Sequence, residues 1–203
     1  MEGTPLIPNE NSLINKESNP EGKVFSSYME KLSLNEEDLH KPLLDVATGD
    51  GSFVKYLRNK LGNNHAFGID KGSIKLYNES DGLVYADGFK MPFADNSFEV
   101  VISKDFVPMF AHSINESAAI FDELIRVTKS GGKIISNIST PETIMEESSE
   151  EIYKEDSRFQ EFFKGRYMGA IKLMEFMKGL EKVGFTVEYK RSGEDVAVVL
   201  KKP

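Results

Sequence analysis

Three aspartates occupy matching places in the sequence, each within or directly after an apolar run typical of a β-strand. Asp45 lies in PLLDVA, Asp70 ends HAFGID, and Asp87 ends GLVYAD. Parallel strands of an open α/β sheet end at a common edge, and ligands bind there near the switch in strand order. We therefore expect the three carboxylates to line one ligand site.

A short glycine turn, TGDG, follows the first of these runs and precedes a helical pattern. Gly49 and Gly51 let backbone amides approach a ligand without a Cβ in the way, and the following helix directs its unpaired N–H groups to the same place. We expect an anionic ligand group there. Asp45 and Asp50 would repel a pyrophosphate, but they suit a ligand that also carries an ammonium or a sulfonium.

The common phosphate-binding motifs do not fit this turn. Reading G-x-G-x-x-G/A from Gly49 places Val54 third, and Val54 is too large for the close helix–strand packing needed there. No G-x-x-x-x-G-K-[ST] string occurs in the chain.

The other two aspartates have the spacing of a nucleoside site. Asp70 lies 21 positions after Gly49, where an acid commonly accepts from both ribose hydroxyls. Asp87, followed by Gly88 and Phe89, can accept from an exocyclic amine while a flat apolar neighbour stacks on a purine. The set predicts an adenosine ligand without phosphates. Simpler alternatives are an ordinary strand–helix turn, a helix cap at Asp70 and a plain turn at Asp87.

Composition limits the class of protein. The chain has 203 residues, with 25 Lys and Arg against 33 Asp and Glu, a formal charge of −8. This length suits one domain, and the net acidity disfavours a nucleic-acid partner. The absence of cysteine excludes disulfides and thiolate chemistry, and three histidines give no metal centre. We expect no membrane span and, since MEGTPLIPNENS does not resemble a signal peptide, a cytoplasmic location.

Strand and helix patterns alternate from residue 43 onward, which predicts a parallel sheet covered on both faces. FTVEYKR and DVAVVLK at the end predict an antiparallel hairpin, giving seven strands in all. We expect residues 1–19 to be a flexible tail and 20–203 to be a single domain. Within that domain, residues 139–163 are predicted to be an acidic, irregular segment with a helical stretch around EESSEEIYKED. A helix is predicted near 167–182, and residues 139–170 are predicted to be a substrate lid.

Five motifs, in order, resemble those of class I S-adenosylmethionine-dependent methyltransferases, the broad family that includes the quinone-biosynthesis methyltransferases. They are LLDVATGDG, HAFGID, YADGFKMPFADNSFEVVIS, RVTKSGGKII and LEKVGFTVEY. The resemblance covers residues 43–138 closely and 170–201 loosely. It implies a Rossmann-like three-layer α/β/α sandwich with strand order 3-2-1-4-5-7-6.

The resemblance also implies S-adenosyl-L-methionine as the cofactor and eight residues as its site: Asp45, Ala47, Gly49, Gly51, Asp70, Asp87, Gly88 and Ser103. In this family pattern Asp70 would hold the ribose, and Asp87 with Gly88 would contact the adenine edge. Ser103, at the end of the fourth strand, would lie near the sulfonium.

The first motif would hold the methionine part. Asp45 would orient the turn and the methionine amino group, while Ala47, Gly49 and Gly51 would surround the methionyl chain with backbone. Two residues depart from the usual pattern. Ala47 replaces a glycine, which the family tolerates, and Asp50 replaces a small or hydroxylic residue and has no assigned role.

The resulting hypothesis is methyl transfer to a small molecule. The sequence gives neither the identity of this acceptor nor the oligomeric state. SKDFVP stands after the fourth strand in place of N/D-P-P-Y, which argues against methylation of adenine bases or glutamine amides. Lys104, Asp105 and His112 lie near the expected mouth, but no catalytic residue is assigned. A nicotinamide-dependent oxidoreductase and a non-catalytic binding module stay open as alternatives.

Overall fold

The computed structural model describes residues 20–72, 82–106, 114–149, 157–192 and 195–203. Residues 1–19, predicted to be a tail, lie outside this part. The helices are α1 Pro20–Lys31, a 3₁₀ helix Glu36–His40, α2 Ser52–Leu61, α3 Ile114–Val127, α4 Pro141–Ser148 and α5 Ser157–Lys182. The strands are β1 Leu43–Val46, β2 Ala66–Asp70, β3 Leu83–Tyr85, β4 Phe98–Ser103, β5 Thr128–Ile138, β6 Thr186–Ser192 and β7 Asp195–Lys201.

The strands form one seven-stranded sheet in the order β3-β2-β1-β4-β5-β7-β6. Strands β1 to β5 pair in parallel, whereas β7 is antiparallel to both β5 and β6. The predicted fold class and the strand order implied by the resemblance are both confirmed. The chain leaves β1 for β2 on one side and returns to β4 on the other, so the ligand crevice of such a sheet lies beyond the ends of β1 and β4.

Two hydrophobic cores cover the two faces of the sheet. Neighbouring strand residues point to opposite faces, so Leu43 joins one core and Leu44 joins the other. Helices α1 and α2 cover the first face through Tyr28, Leu32, Phe53 and Leu57. Helices α3 and α5 cover the second through Phe121, Leu124, Leu173 and Met177. This is the expected three-layer arrangement. The helices on both faces hold the sheet in place, and with it the strand ends at which the candidate site residues lie.

The boundary predicted for the last helix was wrong. The helix near 167–182 begins at Ser157, ten residues earlier, and the helix Pro141–Ser148 lies mostly before the helical stretch expected around EESSEEIYKED. A small separate cluster explains the extension: Phe163 and Ala170 of α5 pack against Ile144 of α4. The segment around these residues is rich in acidic residues, so its sequence did not predict this apolar contact. No helix in the described ranges is long and apolar enough to cross a bilayer.

Candidate functional site

Asp45 is a fully buried carboxylate at the centre of the sheet, paired in register with Gly68 of β2 and Ile102 of β4. Its Oδ2 accepts hydrogen bonds from the Thr48 hydroxyl at 2.6 Å and the Tyr28 hydroxyl at 3.0 Å. Its Oδ1 has no hydrogen-bond partner within the described part of the chain. Burial raises the pKa of Asp45 from 3.8 to about 7, although both hydroxyls oppose the rise.

The turn after β1 holds three residues in the left-handed region: Ala47 at φ +62°, Gly49 at +63° and Gly51 at +73°. A non-glycine residue there is strained, so Ala47 carries a cost that the usual glycine would avoid. The two glycines differ in their surroundings. A Cβ on Gly51 would lie 2.4 Å from Leu83 Cδ1, whereas one on Gly49 would meet no described atom within 4 Å. The turn therefore has space among the described atoms at Gly49, whereas it is tightly packed against Leu83 at Gly51.

Asp70 fixes this turn from the end of β2. Its Oδ2 accepts from the Gly49 backbone N–H at 2.9 Å, and its Oδ1 accepts from the Gly72 N–H at 2.6 Å. The structure thus brings Asp70 and Gly49, two of the predicted site residues, together at the edge of the sheet. Asp70 is also only half-buried, so its carboxylate stays accessible at the edge of the sheet.

Asp50 binds the first residue of α2. The backbone N–H of Ser52 donates to Asp50 Oδ1 at 3.0 Å, and the Ser52 hydroxyl donates to Oδ2 at 2.7 Å. A carboxylate at a helix N-terminus is stabilised by the helix dipole. This contact gives Asp50 a structural role, and it occupies one of the N–H groups that the sequence offers to an anionic ligand.

Asp87, after β3, forms an ion pair with Lys71, the residue that follows Asp70. Lys71 Nζ lies 2.6 Å from Asp87 Oδ2, and the Phe89 N–H donates to Oδ1 at 3.0 Å. Lys71 holds the pKa of Asp87 below its usual value, and the Phe89 N–H adds to this effect. Both side chains are exposed enough for the pair to open at little cost, because surface ion pairs contribute about 1 kcal/mol or less.

The chain next to Asp87 packs closely and presents an aromatic ring. A Cβ on Gly88 would lie 2.7 Å from the Phe106 ring, so a larger residue does not fit. Phe89 is 37% exposed, and its ring meets Phe106 edge to face at 6.0 Å. An exposed flat ring beside a carboxylate suits a purine, as the sequence predicts.

Arg126 holds the loop between β3 and β4, a role that was not predicted from the sequence. Its guanidinium donates to the carbonyls of Phe93 at 2.8 Å and Met91 at 3.1 Å. It also pairs with Glu123 at 2.8 Å and Asp95 at 2.9 Å. The motif RVTKSGG marks this arginine, but only the structure shows that it fixes the backbone on the Asp87 side of the site.

Ser103 ends β4 opposite Ser136 of β5. It is fully buried, and its Oγ has no hydrogen-bond partner among the described residues. A buried hydroxyl without a partner is costly, so a polar ligand atom or a water is its expected complement. This is the position that the resemblance places near the sulfonium.

A polar network follows Ser103 at the ends of β4 and β5. Asp105 lies in the left-handed region, at φ +60°. Its N–H donates to Asn137 Oδ1 at 2.6 Å, and Asn137 Nδ2 returns a hydrogen bond to Asp105 Oδ1 at 2.7 Å. Lys104 Nζ lies 2.8 Å from Asp105 Oδ2. Asn137 was not singled out from the sequence, and His112 lies outside the described residues.

In the described ranges no group of three or more His, Cys, Asp or Glu residues is arranged to hold a metal ion. The carboxylates at the edge of the sheet are instead separated by backbone, lysine and hydroxyl groups. Such a distribution suits an extended polar ligand.

Comparisons with known proteins show which proteins share the sequence motifs and the fold of this chain. Residues 44–136 match the family model described as "Methyltransferase domain". This segment is therefore similar to methyltransferase domains. The resemblance found in the sequence is confirmed, and the matched range begins one residue before Asp45 and ends one residue before Asn137.

A curated relative, the demethylmenaquinone methyltransferase of Corynebacterium urealyticum, is 32% identical over 101 residues, 49% of this chain and 42% of the relative. The match therefore spans less than half the length of that methyltransferase. Among solved structures, a Pyrococcus horikoshii protein superposes with TM-score 0.60 at 21% identity, covering 92% of each chain. A SAM-dependent methyltransferase of Aquifex aeolicus gives TM-score 0.52 at 20% identity, covering 89% of this chain and 95% of that one. At such identities the structural likeness concerns the fold alone.

Proposed function

We propose that this protein transfers the methyl group of S-adenosylmethionine to a small-molecule acceptor. One observation carries the proposal, the asymmetric bonding of the buried Asp45 carboxylate. Its Oδ2 accepts hydrogen bonds, whereas its Oδ1 has no partner in the described chain. The carboxylate lies next to the turn whose Gly49 N–H is bound by Asp70. A buried carboxylate oxygen calls for a cationic or hydrogen-bond-donating ligand group. The amino-acid tail of S-adenosylmethionine carries an ammonium group.

The described residues fit this cofactor. Asp45 offers a buried acceptor for the ammonium, and the described atoms leave space beside Gly49 for the tail. Asp70 offers a half-buried carboxylate for vicinal hydroxyls, and Asp87 can exchange Lys71 for the adenine amine. The proposed site comprises Asp45, Ala47, Gly49, Gly51, Asp70, Asp87, Gly88 and Ser103.

The chemistry needs alignment more than acid–base groups. When bound, the cofactor supplies a methyl group on a sulfonium, ready for in-line displacement. The chain contributes orientation, because holding two reactants in line replaces a large part of the barrier with binding energy. Asp45 would hold the amino-acid end of the ligand, Asp70 its ribose and Asp87 its adenine end. The buried Ser103 hydroxyl would face the part of the ligand between the tail and the ribose.

We propose that the acceptor enters at the ends of β4 and β5. Lys104, Asp105 and Asn137 line this side, and the segment 139–170 follows β5 directly. The separate cluster of Ile144 and Phe163 supports the lid proposal, because it packs apart from the two main cores. The relative from Corynebacterium is named for a quinone-type acceptor, and a small organic molecule is the class proposed here. A single domain over 20–203, a partner other than nucleic acid and a cytoplasmic location remain predictions.

The ribose assignment has a direct test. Asp70→Ala is expected to weaken binding of S-adenosylhomocysteine by about 1–3 kcal/mol, because the hydroxyls lose a charged acceptor and the turn loses its clamp. Isothermal titration calorimetry measures the change. Asp70→Asn separates the two effects, since its amide oxygen still accepts from the Gly49 N–H.

Asp122→Ala is the matched control, because Asp122 lies exposed on α3 away from the sheet edge. It should bind the ligand as the wild type does. Wild-type affinity in a folded Asp70→Ala variant would place the ribose elsewhere.

A further inference from the structure

Tyr28 contacts the site from outside the segment that matches the methyltransferase family. That segment begins at residue 44, whereas Tyr28 belongs to α1. Its hydroxyl nevertheless donates to Asp45 Oδ2 at 3.0 Å. In the sequence, Val24, Phe25, Tyr28 and Leu32 have helical spacing, which predicts an amphipathic helix whose aromatic residues either pack or line an apolar substrate pocket. The hydrogen bond from Tyr28 to Asp45 is seen only in the structure.

Packing holds the tyrosine ring in one place. Tyr28 is 6% exposed, and its ring stacks on Phe53 of α2 with centroids 4.1 Å apart and planes 6° from parallel. Phe25, one turn earlier in α1, stacks on Tyr56 at 4.5 Å. A ring fixed by such stacking presents its hydroxyl at a defined point, with little rotamer freedom left to lose.

The two hydroxyls on Asp45 bind the same oxygen. Thr48 and Tyr28 both donate to Oδ2, and Oδ1 is left without a partner in the described residues. This asymmetry fixes the plane of the carboxylate and leaves Oδ1 without a donor among the described residues. The face of the Tyr28 ring also lies 5.3 Å from Lys104 Nζ, on the acceptor side.

We propose that Tyr28 is a positioning residue for the ammonium subsite: with Thr48 it holds Asp45 Oδ2, so that Oδ1 receives the amino group of the ligand. The inference rests on the proposed function, because it requires a ligand with an amino-acid tail. Through its ring, Tyr28 also links this subsite to Lys104, so α1 spans the cofactor and acceptor sides.

The charged state of Asp45 depends on the same contact. Burial raises the pKa of Asp45 to about 7, and the Thr48 and Tyr28 hydroxyls oppose that rise. Lys104, after β4, lowers the pKa and Asp70, after β2, raises it. A neutral carboxyl binds an ammonium group poorly. Removing the Tyr28 hydroxyl therefore raises the pKa further and leaves less of the charged form near neutral pH.

The test compares two ligands on Tyr28→Phe, which keeps the ring and its packing. S-adenosylhomocysteine carries the amino-acid tail, and 5′-methylthioadenosine lacks it. By calorimetry at pH 7, the variant should bind S-adenosylhomocysteine about 10-fold more weakly and methylthioadenosine as the wild type does. The lower pH limb of S-adenosylhomocysteine binding should move to higher pH, and the deficit should shrink toward pH 9, where Asp45 is ionised in both proteins.

Tyr56→Phe is the matched control, since its ring belongs to the same aromatic group and its hydroxyl is not bonded to Asp45. It should leave both affinities unchanged. Equal loss of both ligands in Tyr28→Phe, or a deficit that is the same at every pH, would overturn the inference in favour of a purely structural role. Wild-type affinity for S-adenosylhomocysteine in the variant would also overturn it. If the wild type binds neither ligand, the proposed function itself fails.

Discussion

Asp45→Asn is expected to stabilise the protein at pH 8 by roughly 2–4 kcal/mol while removing tight binding of S-adenosylhomocysteine. The cause is the desolvation of the carboxylate. Burial raises its pKa from 3.8 to about 7, and every tenfold change in the acid dissociation constant corresponds to about 1.4 kcal/mol. Asparagine fits the same space and still accepts from Tyr28 and Thr48, but it carries no charge to desolvate.

The sign of the effect depends on pH. Because the folded pKa lies above the unfolded one, the folded state binds more protons between about pH 4 and pH 7. Stability therefore falls as pH rises through this window, and the full cost is present above pH 7. Urea unfolding at pH 4.5 and pH 8 should show the variant gaining mainly at pH 8.

Asp122→Asn controls for the general effect of removing a negative charge, since that exposed side chain should change stability by less than about 0.5 kcal/mol. A loss of stability in Asp45→Asn at pH 8 would mean that the folded protein stabilises the charged form. A variant that is more stable and still binds the ligand tightly would remove Asp45 from the ammonium subsite.

Gly51→Ala is expected to cost about 3 kcal/mol in the free energy of unfolding. The left-handed conformation at φ +73° contributes about 1–2 kcal/mol. The added Cβ, 2.4 Å from the buried Leu83 side chain, contributes an overpacking cost of about 1–3 kcal/mol. Urea unfolding measures the change, and ligand titration on the folded fraction should show weaker binding because the turn shifts.

Gly49→Ala separates the two causes, because Gly49 has a similar φ and its added Cβ would meet no described atom within 4 Å. It should cost only about 1–2 kcal/mol. A double-mutant cycle with Leu83→Ala should recover the overpacking part and leave the conformational part. Equal costs for the two alanine substitutions, with no coupling to Leu83, would contradict the close approach of β3 to this turn.

The fold could be predicted from the sequence because each strand and helix is indicated by residues close to one another in the chain. The short, mostly apolar runs of β1 and β4 and the alternation of strands with helices predict parallel strands. Parallel strands end at a shared edge, which brings together the acids in and after them. The Asp70–Gly49 contact follows from the same logic, since the spacing of a strand–helix–strand unit returns the chain to the first turn.

Contacts between distant segments could not be predicted from the sequence. Tyr28 has the spacing of a core residue on α1, and nothing in that pattern shows which atom its hydroxyl meets. The Lys71–Asp87 pair and the Arg126 hydrogen bonds depend on side chains that reach across loops. The start of α5 at Ser157 was not predicted because the segment before residue 167 looks acidic and irregular in the sequence. Its apolar residue Phe163 packs against Ile144 of another helix, and this contact is visible only in the structure.

The central claim is that the crevice binds a phosphate-free adenosine ligand with a charged amino-acid tail. Calorimetric titration with S-adenosylhomocysteine, run beside NADH on the same preparation, tests it most directly. We expect micromolar binding of S-adenosylhomocysteine and no binding of NADH. Binding of NADH alone would contradict the methyltransferase proposal in favour of an oxidoreductase, and binding of neither would favour a non-catalytic module.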